Sequence, residues 1–401
     1  MRVLFTLPAA STHLFMAAPL AWAFRAAGHE VRIAAQPGLT RAVLGAGLPA
    51  VEVGGAGDPA GSPGARQTAA SGMIRPDGGW GDEASSPEER RALRDRVFAP
   101  WVSAARAMAP DLLRFAERWR PDLVVTDPFV FAAPLVSTRL DVPLVRCVWG
   151  PDVLHRVSHP MRGTTEDTGE RWPEGLAELF GEHGAEVRDD HPARTVDPWP
   201  TSLQLPGTPG RVPMRFVPYN GTAAAPDWVL DRPGRPRVCV TWGRTAAGTA
   251  EGEALPRVVA ALADLDVEAV LAVAPSERER LGTLPGNARV AENLPLHLLM
   301  PTCDAIVNQA GSSTLLTAAC HGVPQVLVPK TADSPFHASA FGAAGVAVPL
   351  DAREVTAEAV GAAVTRALTD EAVRAAVRKL HDEIAGTPSP AEVASALERL
   401  V

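Results

Sequence analysis

The sequence contains no C-x-x-C pair, no uninterrupted apolar run of the roughly 18 residues a membrane span needs, and no block of basic residues. Each absence removes a class of protein. Cys147, Cys239, Cys303 and Cys320 each lie in or beside an apolar run, so they read as small buried hydrophobes in a reducing compartment, which excludes a disulfide framework or a zinc site. The 38 basic residues are interleaved with 46 acidic ones, leaving a net charge of −8, and this argues against a phosphate-backbone footprint for DNA or RNA. The apolar stretch after Met1-Arg2 is interrupted at Ser11, Thr12 and His13 and runs on into Gly28-His29-Glu30, so no secretory signal and no membrane anchor is expected. No acidic cluster has metal-ligand spacing, no Walker loop or G-x-G-x-x-G is present, and no repeat of 20–50 residues is visible. Tyrosine occurs once against 38 prolines and 34 glycines, which reads as GC-rich coding bias and carries no functional information.

What remains is a globular chain with 46% apolar residues, and its 401 residues are too many for one comfortable core. Strands are expected at 2–6, 30–35, 50–53, 123–126 and 144–148. Helices are expected at 13–27, 39–44, 88–119 with bends at Pro100 and Pro110, and 129–139. Between 150 and 218 the pattern weakens and prolines accumulate. The rhythm then restarts with strands at 238–241, 268–273, around Val290, 305–307 and 325–328. Helices follow at 254–262, 296–300, 314–320, 356–369, 371–384 and 391–400. Alternation of this kind means two α/β domains with parallel sheets. The expected division is a first domain at 1–218, a linker at 219–236, a second domain at 237–385 and a C-terminal helix at 386–401 that returns to the first domain.

Ligands of open α/β sheets bind beyond the carboxyl ends of the strands, so residues directly after strands are weighed first. His13 ends the loop after the first strand, and a neutral imidazole there can serve as general base. Asp127 follows the 123–126 strand, where it could hold the imidazole in the useful tautomer, cap the 129–139 helix, or do both. The segment Asn308-Gln-Ala-Gly-Ser-Ser-Thr314 joins a strand to a helix with small residues and hydroxyls, which suits a phosphate at a helix N-terminus. Asp333 lies shortly after the 325–328 strand, where a carboxylate could accept hydrogen bonds from sugar hydroxyls.

Together these residues resemble the nucleotide-sugar-dependent glycosyltransferases of actinobacterial natural-product pathways, which have the GT-B fold. The resemblance runs over essentially the whole chain. Its most specific part is Asn293-Leu-Pro-Leu-His-Leu-Leu-Met-Pro-Thr-Cys-Asp304 followed by Asn308–Thr314, Gly322-Val-Pro324 and Asp333. Phe216-Val-Pro-Tyr-Asn-Gly221 and Pro226-Asp-Trp228 resemble the segment before that family's interdomain linker, and His13 falls on its catalytic histidine. The resemblance implies two Rossmann-like domains facing a central cleft, with the acceptor held by the first and the nucleotide sugar by the second. It assigns His13 to catalysis, with Asp127 added by its place after the 123–126 strand, and Asn308, Gly311, Ser312, Ser313 and Thr314 to the diphosphate, joined by the backbone around Gly243 after the 238–241 strand. Asn293 and Leu294 fall to the nucleoside, and Asp333 and Ser334 to the sugar. The segment 54–87 and the helix after it, with Met73, Trp80, Phe98 and Trp101, would wall an apolar acceptor.

Two departures from the family stand out. Asn308 replaces a diphosphate-binding histidine beside Ala310 in place of glycine, and Ser334 replaces a glutamine that contacts the sugar. An asparagine can donate to a phosphate but carries no charge, and losing the long amide suits a deoxygenated sugar. The function so implied is inverting transfer of a deoxysugar from a nucleoside diphosphate, dTDP before UDP, to a hydroxyl of an apolar aglycone. The enzyme would be cytoplasmic and require no metal or other cofactor. Its partners would be small molecules, with no nucleic acid or membrane, and a homodimer is compatible with the reading. The alternative is a GT-B homologue that binds a nucleotide sugar or a partner without catalysing transfer, and a nucleotide-sugar 2-epimerase is a second enzyme class on the same fold.

Overall fold

A computed structural model describes residues 1–55, 86–152, 172–188, 191–231, 233–242, 254–329, 333–351 and 355–401. Met73, Trp80 and Gly243 lie outside the described residues. The chain divides into two compact units, Met1–Phe216 with Thr387–Val401, and Val217–Gly386.

In the first unit the strands are β1 (Arg2–Leu7), β2 (Glu30–Ala35), β3 (Ala50–Glu52), β4 (Leu123–Thr126), β5 (Leu144–Cys147), β6 (Pro192–Asp197) and β7 (Arg211–Pro213). They form one sheet in the order β3-β2-β1-β4-β5-β6-β7, parallel at every pairing. Beyond Arg2, β1 is buried on both faces, as expected of an apolar run covered by helices on either side. The strand order reverses between β1 and β4, where Thr6 pairs with Thr126 and its hydroxyl donates to the Thr126 hydroxyl at 2.7 Å. That crevice is where this architecture binds ligands.

The helices of this unit are α1 (Ser11–Ala26), α2 (Thr40–Gly45), α3 (Pro87–Trp119), α4 (Ala133–Leu140) and α5 (Leu176–Glu182). The 33-residue α3 starts at a capping box, Ser86 with Glu89, and continues through Pro100 and Pro110 as one helix. The helix expected at 129–139 begins only at Ala133, with Pro134 tolerated in its first turn. Residues 127–132 are turns instead, so Asp127 does not cap that helix. Its Oδ1 accepts the Phe129 N–H at 2.9 Å and closes the turn.

The sequence pattern did not expose α5, β6 or β7. Strand β6 carries Arg194 and Thr195 and ends on Asp197, which is fully buried. Burial pushes the Asp197 carboxyl up, while Arg211 Nε at 2.6 Å, Gln204 Nε2 at 2.8 Å and the Trp199 N–H at 2.9 Å hold it down. A strand held by a polar network has no apolar alternation to read. The chain's last described helix belongs to the same unit and is called α13 below; it spans Pro390–Glu398 and starts at a Ser389–Glu392 capping box. It packs on α1, and Glu398 Oε1 lies 2.7 Å from His29 Nε2.

In the second unit β8 (Arg237–Val240), β9 (Glu268–Leu271), β10 (Ala288–Val290), β11 (Ala305–Asn308), β12 (Gln325–Leu327) and β13 (Ala347–Pro349) form a parallel sheet in the order β10-β9-β8-β11-β12-β13. Numbered from its own first strand this is 3-2-1-4-5-6, the order of dinucleotide-binding domains, with the reversal between β8 and β11. The helices are α6 (Ala254–Ala263), α7 (Pro275–Arg280), α8 (Leu296–Leu299), α9 (Ser312–Cys320), α10 (Ser334–Ala343), α11 (Ala357–Thr369) and α12 (Glu371–Ala385).

The linker expected at 219–236 falls within this second unit. Val229 is buried, and the buried Arg237 guanidinium donates to the Val229 and Asp231 carbonyls, each at 3.1 Å, and to Glu268 Oε2 at 2.6 Å. A paired, buried arginine fastens a segment whose prolines and glycines had read as a free connection. Helices α7 and α10 and strand β13 were not foreseen either. In α10 small and large apolar residues mix without a stripe, and a Cβ at Gly342 would meet Pro349 Cγ at 2.8 Å, so glycine lets α10 lie against β13. No described helix is long and apolar enough to cross a membrane.

Candidate active site

His13 sits in the first turn of α1, directly past β1, and Asp127 directly past β4, so the two flank the strand-order reversal of the first unit. Their side chains meet, with His13 Nδ1 2.7 Å from Asp127 Oδ2. Asp127 is 3% exposed and its backbone N–H donates to the Thr6 carbonyl at 3.0 Å, which anchors it across the β1–β4 seam. An ionised carboxylate only accepts, so the imidazole hydrogen sits on Nδ1 and the Nε2 lone pair is left to take a proton.

Around this pair the aromatics are arranged differently from the expectation. Phe98 and Trp101 are buried and form a small core with Val97, so they do not offer open walls. Their bulk instead backs Phe129: Trp101 stacks on it at 4.3 Å and 12°, and Phe98 lies 6.3 Å away. The half-buried faces beside the imidazole belong to Trp149 at 5.1 Å and Phe129 at 6.0 Å. Neither was singled out from the sequence, although both follow strands, Phe129 after β4 and Trp149 after β5. The same rule that exposed Asp127 was available for them.

In the second unit β11 leads through Gln309, Ala310 and Gly311 into α9. The helix begins at Ser312, two residues earlier than expected, so Ser312, Ser313 and Thr314 form its first turn, part-exposed, and Gly311 at the N-cap supplies no side-chain acceptor. Three backbone N–H groups there have no partner within the helix, and the helix dipole adds partial positive charge. Such an end accepts phosphate oxygens.

Asn308, expected to donate to the diphosphate, is fully buried. Its Nδ2 donates to Gln325 Oε1 at 3.1 Å and its Oδ1 accepts the Ala310 N–H at 2.8 Å, so its amide shapes the loop. Ala310 adopts φ +64°, a left-handed conformation that costs a non-glycine residue about 1 kcal/mol or more. Both of its backbone groups are held, because its carbonyl accepts from His337 Nδ1 at 2.9 Å. His337, on α10 and 1% exposed, was also missed; it was an unremarked residue four positions after Asp333. The bond from His337 to the Ala310 carbonyl ties α10 to the β11–α9 loop, and His337 Nε2 lies 3.5 Å from Asp333 Oδ2. Ser334 is buried as the first residue of α10, which leaves the part-exposed Asp333 as the outward-facing member of the expected sugar pair.

Asn293 is exposed with φ +52°, a conformation asparagine tolerates, and its N–H donates to the Val273 carbonyl at 3.2 Å. The Leu294 side chain packs into the core with Leu296, Leu299 and Met300, so only backbone is offered there. On α8, His297 Nδ1 accepts the Asn220 N–H at 3.3 Å, and burial lowers the pKa of both His297 and His321. The unfolded chain therefore binds these protons more readily, and stability should be constant above the ordinary histidine pKa of 6.5 and fall as pH drops below it. Thermal melts between pH 7 and 5 check this, and His297→Gln with His321→Gln should flatten the slope; an unaltered slope would assign the acid sensitivity elsewhere.

Two parallel-sheet Rossmann-like units, one carrying a histidine–aspartate pair and the other an open helix N-terminus at their strand-order reversals, are the parts that a GT-B glycosyltransferase has. Residues 22–243 match the family described as erythromycin biosynthesis protein CIII-like, N-terminal domain, and residues 256–400 its C-terminal domain. Tylactone mycaminosyltransferase of Streptomyces fradiae is 36% identical over 100% of this chain and 92% of its own. Among solved structures, spinosyn forosaminyltransferase SpnP is 32% identical with a TM-score of 0.83 over 100% of this chain and 99% of its own. Spinosyn rhamnosyltransferase SpnG complexed with thymidine diphosphate is 33% identical with a TM-score of 0.80 over 99% and 100%. The chain belongs to this family of antibiotic-biosynthesis glycosyltransferases. It is a nucleotide-sugar-dependent transferase, and its named relatives favour catalysis over the non-catalytic alternative.

Proposed function

We propose that this enzyme moves a deoxysugar from its thymidine diphosphate to a hydroxyl of an apolar polyketide-type aglycone, with inversion at the anomeric carbon. The observation that carries the chemistry is the 2.7 Å contact between His13 and the buried Asp127. The donor class is supported by relatives named for mycaminosyl, desosaminyl and daunosamine transfer and by the neighbour complexed with thymidine diphosphate. The aglycone class is supported by the same names and by the neighbour complexed with spinosyn aglycone.

His13 Nε2 takes the acceptor hydroxyl proton as that oxygen bonds to the anomeric carbon. On the opposite face the bond from that carbon to the diphosphate oxygen breaks, and the nucleoside diphosphate leaves with the electron pair. Asp127 stabilises the imidazolium that forms. Phe129 and Trp149 supply an apolar face for the acceptor, and the first turn of α9 meets the charge growing on the diphosphate. On this reading the groups that meet that charge are protein N–H and O–H donors, and the cytoplasm, where nucleotide sugars are made, is the working compartment.

Asp333 offers one strong acceptor to the sugar, with Ser334 buried behind it. A fully hydroxylated hexose would leave donors and acceptors without partners, at about 1–3 kcal/mol each. A thymidine-diphosphate deoxysugar is therefore expected to exceed uridine-diphosphate glucose in kcat/KM by roughly one to two orders of magnitude on one accepted aglycone. Thymidine-diphosphate glucose separates the base from the sugar. Equal values would move sugar selection to other residues. Conversion of a nucleotide sugar into its C2 epimer with no net release of nucleoside diphosphate would favour the epimerase, and neither epimer nor release under any condition would favour the non-catalytic homologue.

A further inference from the structure

Asn220 sits at the start of the second unit, in the stretch that had read as a linker, and its side chain reaches the first turn of α9. Its Oδ1 accepts the His297 backbone N–H at 3.0 Å. A backbone N–H can only donate, so this bond fixes which end of the amide is oxygen. The Nδ2 end therefore faces α9, where it lies 3.1 Å from Ser313 Oγ and 3.2 Å from Thr317 Oγ1. Thr317 commits its own hydroxyl hydrogen to the Ser313 carbonyl at 2.7 Å, so it receives from Asn220 and gives to the helix backbone. Ser313 Oγ receives from Asn220 as well. Its single hydrogen is then directed away from Asn220, and no other described residue accepts it.

We propose that Asn220 is a positioning residue for donor binding: by donating to Ser313 it turns the Ser313 hydroxyl hydrogen outward, as a donor to a diphosphate oxygen. This rests on the reading that the diphosphate occupies the first turn of α9. The logic is one of polarity. A hydroxyl has one hydrogen, and a fixed donor on one side makes it a donor on the other. The His297 N–H makes Asn220 a donor, Asn220 makes Ser313 a donor, and the phosphate is the acceptor that ends the series. A hydrogen bond to an ionised acceptor is stronger than a neutral one, so the orientation affects affinity more than the Asn220 contact would by itself.

The test is a double-mutant cycle on thymidine-diphosphate affinity, read by calorimetry. Asn220→Asp keeps the acceptor for His297 but replaces the donor with a carboxylate oxygen, which would draw the Ser313 hydrogen inward. The added charge weakens binding in any background, so the cycle subtracts it with Ser313→Ala. Asn220→Asp is expected to weaken binding at least about fivefold more in the wild-type chain than in the Ser313→Ala chain. Ser313→Thr, which keeps the hydroxyl, should retain both the affinity and the coupling. Should Asn220→Asp fold poorly, Asn220→Ala removes the donor without adding charge and enters the same cycle. Equal losses in the two backgrounds would overturn the proposal and leave the diphosphate site standing, provided Thr314→Glu still abolishes binding. Unchanged affinity in Thr314→Glu would remove the site and the proposal together.

Discussion

Replacing His13 with alanine should lower kcat by roughly 10²–10⁴ while leaving thymidine-diphosphate affinity within about twofold of wild type. The split follows from where the groups lie. His13 belongs to the first unit, beside Asp127, Phe129 and Trp149, whereas the α9 first turn belongs to the second. Removing the imidazole takes away the proton acceptor without touching the helix N-terminus. Asp127→Asn should give a comparable or smaller loss. An amide can donate to Nδ1 and so stabilise the tautomer with hydrogen on Nε2, and it cannot offset the charge of the imidazolium. Steady-state kinetics with one accepted aglycone, beside calorimetry with thymidine diphosphate, checks both. Activity of His13→Ala within a few-fold of wild type would take the histidine out of the mechanism. A large loss of nucleotide affinity would mean that His13 serves the donor and not the acceptor.

The pair was legible in the sequence because it depends on one feature of the fold. β1 and β4 are short, mostly apolar runs; Asp127 directly follows β4, and His13 lies in the first turn of the helix that follows β1, each conspicuous in its place. The polar parts of the first unit were not legible. β6 is held by buried Asp197 and its partners, and a strand stabilised that way has the composition of a loop. Asn308 shows the complementary difficulty. An amide after a strand has the same residue type whether it faces a ligand or ties down its own loop, and only the bonds to Gln325 and the Ala310 N–H tell the two apart. Phe98 and Trp101 on α3 are buried against Phe129 and are not open walls, since helical spacing locates a face without saying what will cover it. Asn220 and His337 act through contacts made with residues up to 97 positions distant, which no local pattern encodes.

Thr314→Glu should abolish measurable thymidine-diphosphate binding, a loss of roughly two to three orders of magnitude at the few kcal/mol expected for like charges about 4 Å apart near a protein surface. The α9 N-terminus attracts an anion through three N–H groups without helix partners and through its dipole, both confined to the first turn. A glutamate at its third position supplies the negative charge from within the protein, and carboxylates at that position commonly turn back to accept first-turn N–H groups. It would thus occupy the donors that the phosphate requires and repel the phosphate as well. For the same reason the substitution should leave the fold intact, or raise its melting temperature slightly, because an acidic residue in the first turn stabilises a helix. The two effects run in opposite directions, and that opposition makes the experiment decisive. Lost nucleotide affinity in a protein that melts no lower than wild type would place the diphosphate at α9, whereas retained affinity with the same melting temperature would place it elsewhere.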